Sequence, residues 1–291
     1  MEKKEGTWVE RGKEDCHIHM VLDGENWKTA IKRHENGPDR QWILEILEQY
    51  ARAGYDYLRD GGDRWGVGAA ARSLAGEYGI RYRTPLAPLY HKGHYGGFIG
   101  IGFENIREYR ELVCKNQERD FVKIMISGLM DFDRFGVLTQ PGLTAGEIWE
   151  LVHIAHEEGY AVMAHANGAE VVRAAAEAGV DSVEHGAYLD GEALQAMAEN
   201  DTVWVPTLST IGNLRGRGRF NEAAVAKILE SAMKNVTEFA AMGGLVAEGS
   251  DAGAWAVPHA AGTERALLTQ ALGGNAEAVL RRGGEKIREK F

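Results

Sequence analysis

Residues 144–190 read TAGEIWELVHIAHEEGYAVMAHANGAEVVRAAAEAGVDSVEHGAYLD. Thr144, with Glu147 three positions on, forms the capping box that opens a helix. The helix is expected over 144–158 and ends at Gly159, a C-terminal glycine. The apolar run YAVMAH follows over 160–165 and has the length of a buried strand. A second helix over 167–178 closes in the same way at Gly179, and VDSVEH over 180–185 is a second strand. Helix, strand, helix and strand thus follow one another with short connections.

The alternation continues outward in both directions. Strands are expected at 14–19, 55–60, 80–89, 120–126, 160–165, 180–185, 202–207 and 244–250. Helices are expected at 38–53, 66–78, 103–116, 144–158, 167–178, 190–199, 221–241 and 260–272. Repeated β-then-α units imply an α/β fold, a parallel (β/α)8 barrel of the TIM type. An open doubly wound sheet would carry a glycine-rich phosphate loop after its first strand, and none is present. No stretch reads as a linker, so residues 1–291 are expected to form one barrel domain.

The chain carries 33 basic and 43 acidic side chains, a net charge of −10, which argues against nucleic acid as a partner. No run reaches the about 18 apolar residues of a membrane span. The start, MEKKEG, has no apolar segment of a secretion signal behind it. Cys16 and Cys114 make no disulfide framework and are expected to be reduced thiols in a cytoplasm, Cys16 as a small core residue. A small molecule is the expected ligand.

Histidine, lysine and aspartate recur where these strands end. His17 and His19 end EDCHIH, Lys123 lies in DFVKIMISG, His165 ends YAVMAH, His185 ends VDSVEH and Asp251 ends LVAEGSD. Barrels of this kind build their sites at the C-terminal ends of the strands. Alternate residues of a strand share a face, so His17 and His19 can hold one ion between them. Imidazole with carboxylate suits Zn²⁺, and also Mn²⁺, Fe²⁺ or Co²⁺. A lone histidine is ordinarily a core or loop residue; this many at strand ends is not ordinary. Lys123 sits between Val122 and Ile124, where a cation is costly. Either it faces outward on a strand edge, or its amine is neutral and has taken up CO₂ as a carbamate.

The order H-x-H, V-K-I-M-x-S-G, H-A-x-G, E-H-G and G-S-D-A-G resembles the amidohydrolase superfamily, in its imidazolonepropionase- and prolidase-like branch. The resemblance runs from about Asp15 to about Gly273. It implies two divalent ions, zinc foremost, with His17 and His19 on the more buried ion and His165 and His185 on the more exposed one. It makes Lys123, as its CO₂ carbamate, the bridge, and Asp251 both a ligand and the base. By it a bridging hydroxide attacks an amide bond of an N-acyl amino acid, dipeptide or cyclic amide. The β-sandwich that usually flanks such barrels is expected to be missing or vestigial.

The glycine-rich stretch LYHKGHYGGFIG over 89–100 is expected to be a mobile loop at the barrel mouth. His91, Lys92, His94 and Tyr95 in it are either substrate contacts or chance residues of a solvated loop. By the resemblance, His94, ahead of His91, would polarise the scissile carbonyl. Arg59 or Arg64 would hold a substrate carboxylate, or else pair with acids such as Asp60. Tyr188 would donate to a tetrahedral oxyanion, or else pack. Trp8, Trp27 and Trp42 cover barrel surface or make a subunit contact, and a homo-oligomer is expected. The basic tail AVLRRGGEKIREKF reads as a solvated helical end. Three competing readings remain: an esterase or lactonase on the same site, a one-metal deaminase without need of Lys123, and a non-catalytic metal-binding barrel.

Overall fold

A computed structural model describes residues 12–115 and 118–291. Trp8 lies outside the described residues. The strands are β1 (Lys13–Ile18), β2 (Tyr55–Asp60), β3 (Arg81–Arg83), β4 (Leu89–His91), β5 (Ile101–Phe103), β6 (Val122–Met125), β7 (Val162–Ala166), β8 (Ser182–His185), β9 (Val203–Val205) and β10 (Leu245–Val246). They form two parallel sheets, ordered β1-β2-β3 and β10-β9-β8-β7-β6-β4-β5. Past β10 the backbone runs along β1: Cys16 N–H donates to Glu248 O, Asp251 N–H to His17 O, and His19 N–H to Ala252 O. At the other edge Asp120 N–H donates to Thr84 O.

The helices fall between the strands much as the periodicity requires. In the quoted stretch they cover Ala145–Glu157 and Ala169–Glu177, with the reciprocal Thr144–Glu147 capping box in place. Their buried faces, such as Ile148, Leu151, Val152 and Ala155, pack on the larger sheet in one apolar cluster.

The single strand expected at 80–89 is divided. β3 ends at Arg83, and Leu89 opens β4, which pairs with both β5 and β6. Prolines at 85 and 88 interrupt the run, because proline cannot donate to a strand ladder. The glycines after it permit close packing rather than a loose loop. Gly96 has φ 132°, and a Cβ there would stand 2.6 Å from Tyr90 Cβ.

The basic tail is not a solvated end. Helix Ala276–Lys290 buries Leu280, Gly283, Gly284 and Ile287. Ile287 and Phe291 join Tyr57, Phe121, Met163, Val203, Val205 and Ala247 in an apolar cluster that draws on strands of both sheets. Phe291 meets Phe121 edge to face at 5.1 Å. Arg288 pairs with Glu14 and Asp56, and Lys290 with Asp181, acids at or before the starts of β1, β2 and β8. The basic residues read as solvated are therefore the clamps that hold this helix across the end opposite the histidines.

Cys16 is buried and unpaired as expected, and Cys114 is exposed and free. Trp42 packs inward and donates from Nε1 to Met20 O, whereas Trp27 stays half exposed. No helix among the described residues is long and apolar enough to cross a membrane.

Candidate metal centre

Strand ends bring the sequence's ligand candidates to one place. His17 Nε2 lies 3.4 Å from His19 Nε2 and 3.4 Å from Asp251 Oδ1, and His19 Nε2 lies 3.2 Å from the same oxygen. These three residues alone among those described form a compact ligand group, with ligand atoms within 4.8 Å of one another. Lys123 Nζ stands 3.1 Å from His17 Nε2. The His185 ring centre is 5.1 Å from that of His17 and 4.5 Å from that of His165, so the second histidine pair adjoins the first group. His185 and Asp251 carry φ of 68° and 57°, left-handed values that bulky residues seldom adopt. The chain turns sharply at His185, the end of β8, and at Asp251, beside the end of β1, and such strain gathers at functional sites.

The protonation states suit metal ligation. Burial, with Lys123 second, holds the His19 imidazole below its usual range and brings His165 down to about 3. His17 and His185 are lowered well below theirs, again by burial first. All four are therefore neutral near pH 7, the state in which imidazole binds a cation. Burial also brings the Lys123 amine down to about 8. An amine at that level has a free lone pair in part of the population, as addition to CO₂ requires. Asp251 Oδ1 and His19 Nδ1 are buried without a hydrogen-bond partner. An unpaired carboxylate oxygen facing two imidazole nitrogens is costly unless a cation sits among them. The donor set therefore fits a divalent ion.

Side chains beneath the ligands fix their orientation. Glu184 Oε2 lies 2.7 Å from His17 Nδ1, and a carboxylate can only accept, so Nδ1 carries the hydrogen and Nε2 keeps its lone pair for the site. Oε1 of the same residue accepts from Arg59 Nη2 at 2.8 Å and from Ser182 Oγ at 2.6 Å. Burial pushes the Glu184 carboxyl up, against the opposing pull of Arg59 and Ser182. Arg59 further donates to Cys16 O and Ser182 Oγ, and its guanidinium lies 4.4 Å from the Phe291 ring centre. Thr207 Oγ1 is 2.8 Å from His185 Nδ1, and Asn167 joins Gly128 O to Ala187 N–H beside His165. At Gly61 a Cβ would lie 2.3 Å from His19 Cε1 and 2.7 Å from Lys123 Nζ, so a side chain there would displace both. The signal for Glu184 was available: an acid within the apolar run VDSVEH, one residue before a ligand.

The substrate residues divide. A cavity of 560 Å³ opens over the ligands, and His94 and Tyr95 line it together with His19, Lys123, His165, His185 and Asp251. Arg59 does not reach it, being wholly buried under Glu184. Arg64 turns away, donating to Gly97 O and stacking on Trp65. His91 lies in a separate 240 Å³ recess, 5.4 Å from the Phe103 ring centre. Tyr188 packs edge to face on Phe135 and is absent from the cavity wall. Lys92 is exposed and pairs with Glu104. Arg59 points inward but stops beneath the ligands, whereas turns and a short strand set the directions of Arg64, His91 and Tyr188, which sequence distance from a strand end does not report.

Comparison with solved structures agrees with this architecture. A Xaa-Pro dipeptidase with methionine bound in its active site superposes with a TM-score of 0.78 at 21% identity, over 96% of this chain and 76% of that one. A prolidase in complex with N-methylphosphonate-L-proline gives 0.76 at 22%, over 97% and 75%. The ochratoxinase of A. niger gives 0.74 at 18%, over 95% and 71%. The chain thus has the fold of these amidohydrolase structures, consistent with the family its motifs resemble. No family model matches the sequence. No curated protein matches it either.

Proposed function

We propose that the chain is a metal-dependent hydrolase that cleaves an amide bond of a small N-acyl amino acid, dipeptide or cyclic amide on a single closed (β/α)8 barrel. The observation that carries the reading is the convergence of His19, Asp251, Lys123, His165 and His185 on the floor of one cavity, with His17 directly behind them. His17, His19 and Asp251 would hold one divalent ion, zinc or a similar metal. His165 and His185 would hold a second, with Lys123 between them as its carbamate. Bound there, such ions supply Lewis acidity and a water of lowered pKa.

The chain's own groups do the rest. The Asp251 carboxylate, on the cavity wall, accepts the proton of the attacking water and returns it to the leaving nitrogen. Glu184 fixes the His17 tautomer. His94, on the cavity wall, would donate to the scissile carbonyl. The mostly apolar walls keep bulk water from the reacting atoms. The likeness to a Xaa-Pro dipeptidase and a prolidase favours a dipeptide-type amide over an ester. The position of Lys123 against His17 favours a bridged pair over a one-metal deaminase.

Protein purified with Zn²⁺ or Mn²⁺ and bicarbonate is expected to hold about two metal equivalents and to turn over members of an N-acyl amino acid and dipeptide panel. Asp251→Asn should fold and lose ~10²–10⁴-fold in kcat, more than it changes KM. One equivalent in metal-replete protein would sink the bridged pair, and an Asp251→Asn protein of ordinary kcat would require another base.

A further inference from the structure

The catalytic floor occupies only the bottom of the cavity; the walls above it are chemically uneven. On one side Tyr95 packs at 4.9 Å against His165, Phe98 follows at 5.6 Å, and Trp27 meets Phe98 edge to face at 6.1 Å. This aromatic wall runs from a ligand up to the mouth. A second group joins Phe132 to Phe220, tilted at 5.2 Å, and Phe220 to Trp255, edge to face at 5.9 Å between ring centres. A glycyl or alanyl substrate would leave both walls wet. A side chain the size of phenylalanine or leucine would dry them, which is the arrangement that favours binding.

Charge is placed as unevenly. Among the described residues Lys123 and Arg219 are the only lysine or arginine on the cavity wall, and Lys123 is at the floor among the ligands. The Arg219 guanidinium lies 4.2 Å from the Trp255 ring centre and 5.3 Å from that of Phe220. Stacking holds the face of the guanidinium and leaves its edge donors open. Among the described residues no carboxylate pairs with Arg219 within 4.0 Å, whereas Arg265 and Arg288 each hold two. Glu25 lines the cavity next to Trp27 and repels an anion from that side. A carboxylate entering the mouth therefore has one place to bind.

We infer that the substrate of this site carries a large apolar or aromatic side chain together with a free carboxylate, and that Arg219 binds that carboxylate while the two aromatic walls enclose the side chain. This rests on the hydrolase reading for the bond that is cut, though not for the ligand that is bound.

The test uses metal-loaded protein and a matched series: N-acetyl-phenylalanine, N-acetyl-leucine, N-acetyl-glycine, and N-acetyl-phenylalanine carboxamide. For turnover, the phenylalanine and leucine acids should exceed the glycine acid by ~10–200-fold in kcat/KM. The neutral carboxamide should be worse than its acid by on the order of 10–100-fold, mostly in KM. Arg219→Gln should collapse that acid-to-carboxamide ratio towards one, and Arg219→Lys should restore part of it. Calorimetric binding of the same compounds is read in parallel. Binding of the phenylalanine acid that needs Arg219, without cleavage of any member, would refute the hydrolase reading and leave this inference standing. Equal handling of the glycine and phenylalanine acids, or an Arg219→Gln protein that still prefers acid to carboxamide, would overturn it.

Discussion

Replacing Glu184 by glutamine changes one atom and removes one charge from a place where neither is replaceable. The carboxylate accepts from Arg59, Ser182 and His17, and both Arg59 and Glu184 have no exposed side-chain surface. Glutamine must direct its NH₂ at one neighbour. If it faces Arg59, two donors oppose each other and a buried guanidinium loses its counter-charge. If it faces His17, the imidazole must move its hydrogen to Nε2, and the lone pair leaves the metal site. Breaking one side of a buried ion pair costs about 3–5 kcal/mol, and loss of a support beneath a metal ligand costs about 10–100-fold in metal affinity. Glu184→Gln is therefore expected to lose at least about 3 kcal/mol in urea unfolding of the metal-free protein. In a competitive zinc titration it should bind about 10–100-fold more weakly. The pair Arg59→Met with Glu184→Leu separates the two effects. It should recover much of the stability, because an apolar pair can replace a buried ion pair, but not the metal affinity, because His17 stays unoriented. A Glu184→Gln protein within about 0.5 kcal/mol of the parent, a margin ordinary for surface changes, and with unchanged zinc affinity would refute the reasoning.

Two further outcomes test the frame around the site. Gly283 packs so closely that an added Cβ would stand 2.0 Å from Val246 O. Gly283→Ala should therefore destabilise by roughly 1–3 kcal/mol or more, while Gly146→Ala, on an open helical surface, should be neutral or slightly stabilising; equal melting temperatures for the two would argue against the docked helix. Glu264 is buried, accepts from Ser209 N–H, and has its carboxyl pushed up to about 8 by burial. A raised folded pKa means that its stabilising contribution is full below the unfolded value near 4.5 and is lost as pH rises towards about 8. Relative to Glu264→Gln the parent should thus lose on the order of 2 kcal/mol between pH 5 and pH 7. A stability difference that is flat across that range in urea titrations would contradict it.

The parts of this molecule that sequence displays are those governed by period and position. Apolar runs bounded by glycine marked most of the strands, and the residue ending each run marked the floor of the cavity. His17, His165, His185 and Asp251 were legible because strand ends face one side of such a fold. Arg59 was misread because it lies two residues too early on β2: its side chain enters the interior below the ligands, where it serves Glu184 instead of a substrate. His91 and Tyr188 were misread because their direction is set by a short strand and by a left-handed turn at φ 61°. Arg219 gave no signal in the sequence, since it lies in RGRGRF and acquires meaning only through Trp255, 36 positions on.

Helix Ala276–Lys290 bears on how the protein is made. A ribosome delivers residues in order, and this helix emerges after every strand whose interior it closes. Until it docks, Tyr57, Phe121 and Met163 face water, and Arg59 lacks the ring it rests on. The nascent chain then has an apolar base open to water, the kind of partly folded species that aggregates or recruits chaperones. Glu184, which orients His17, is in that interval paired with an arginine whose covering ring has yet to arrive.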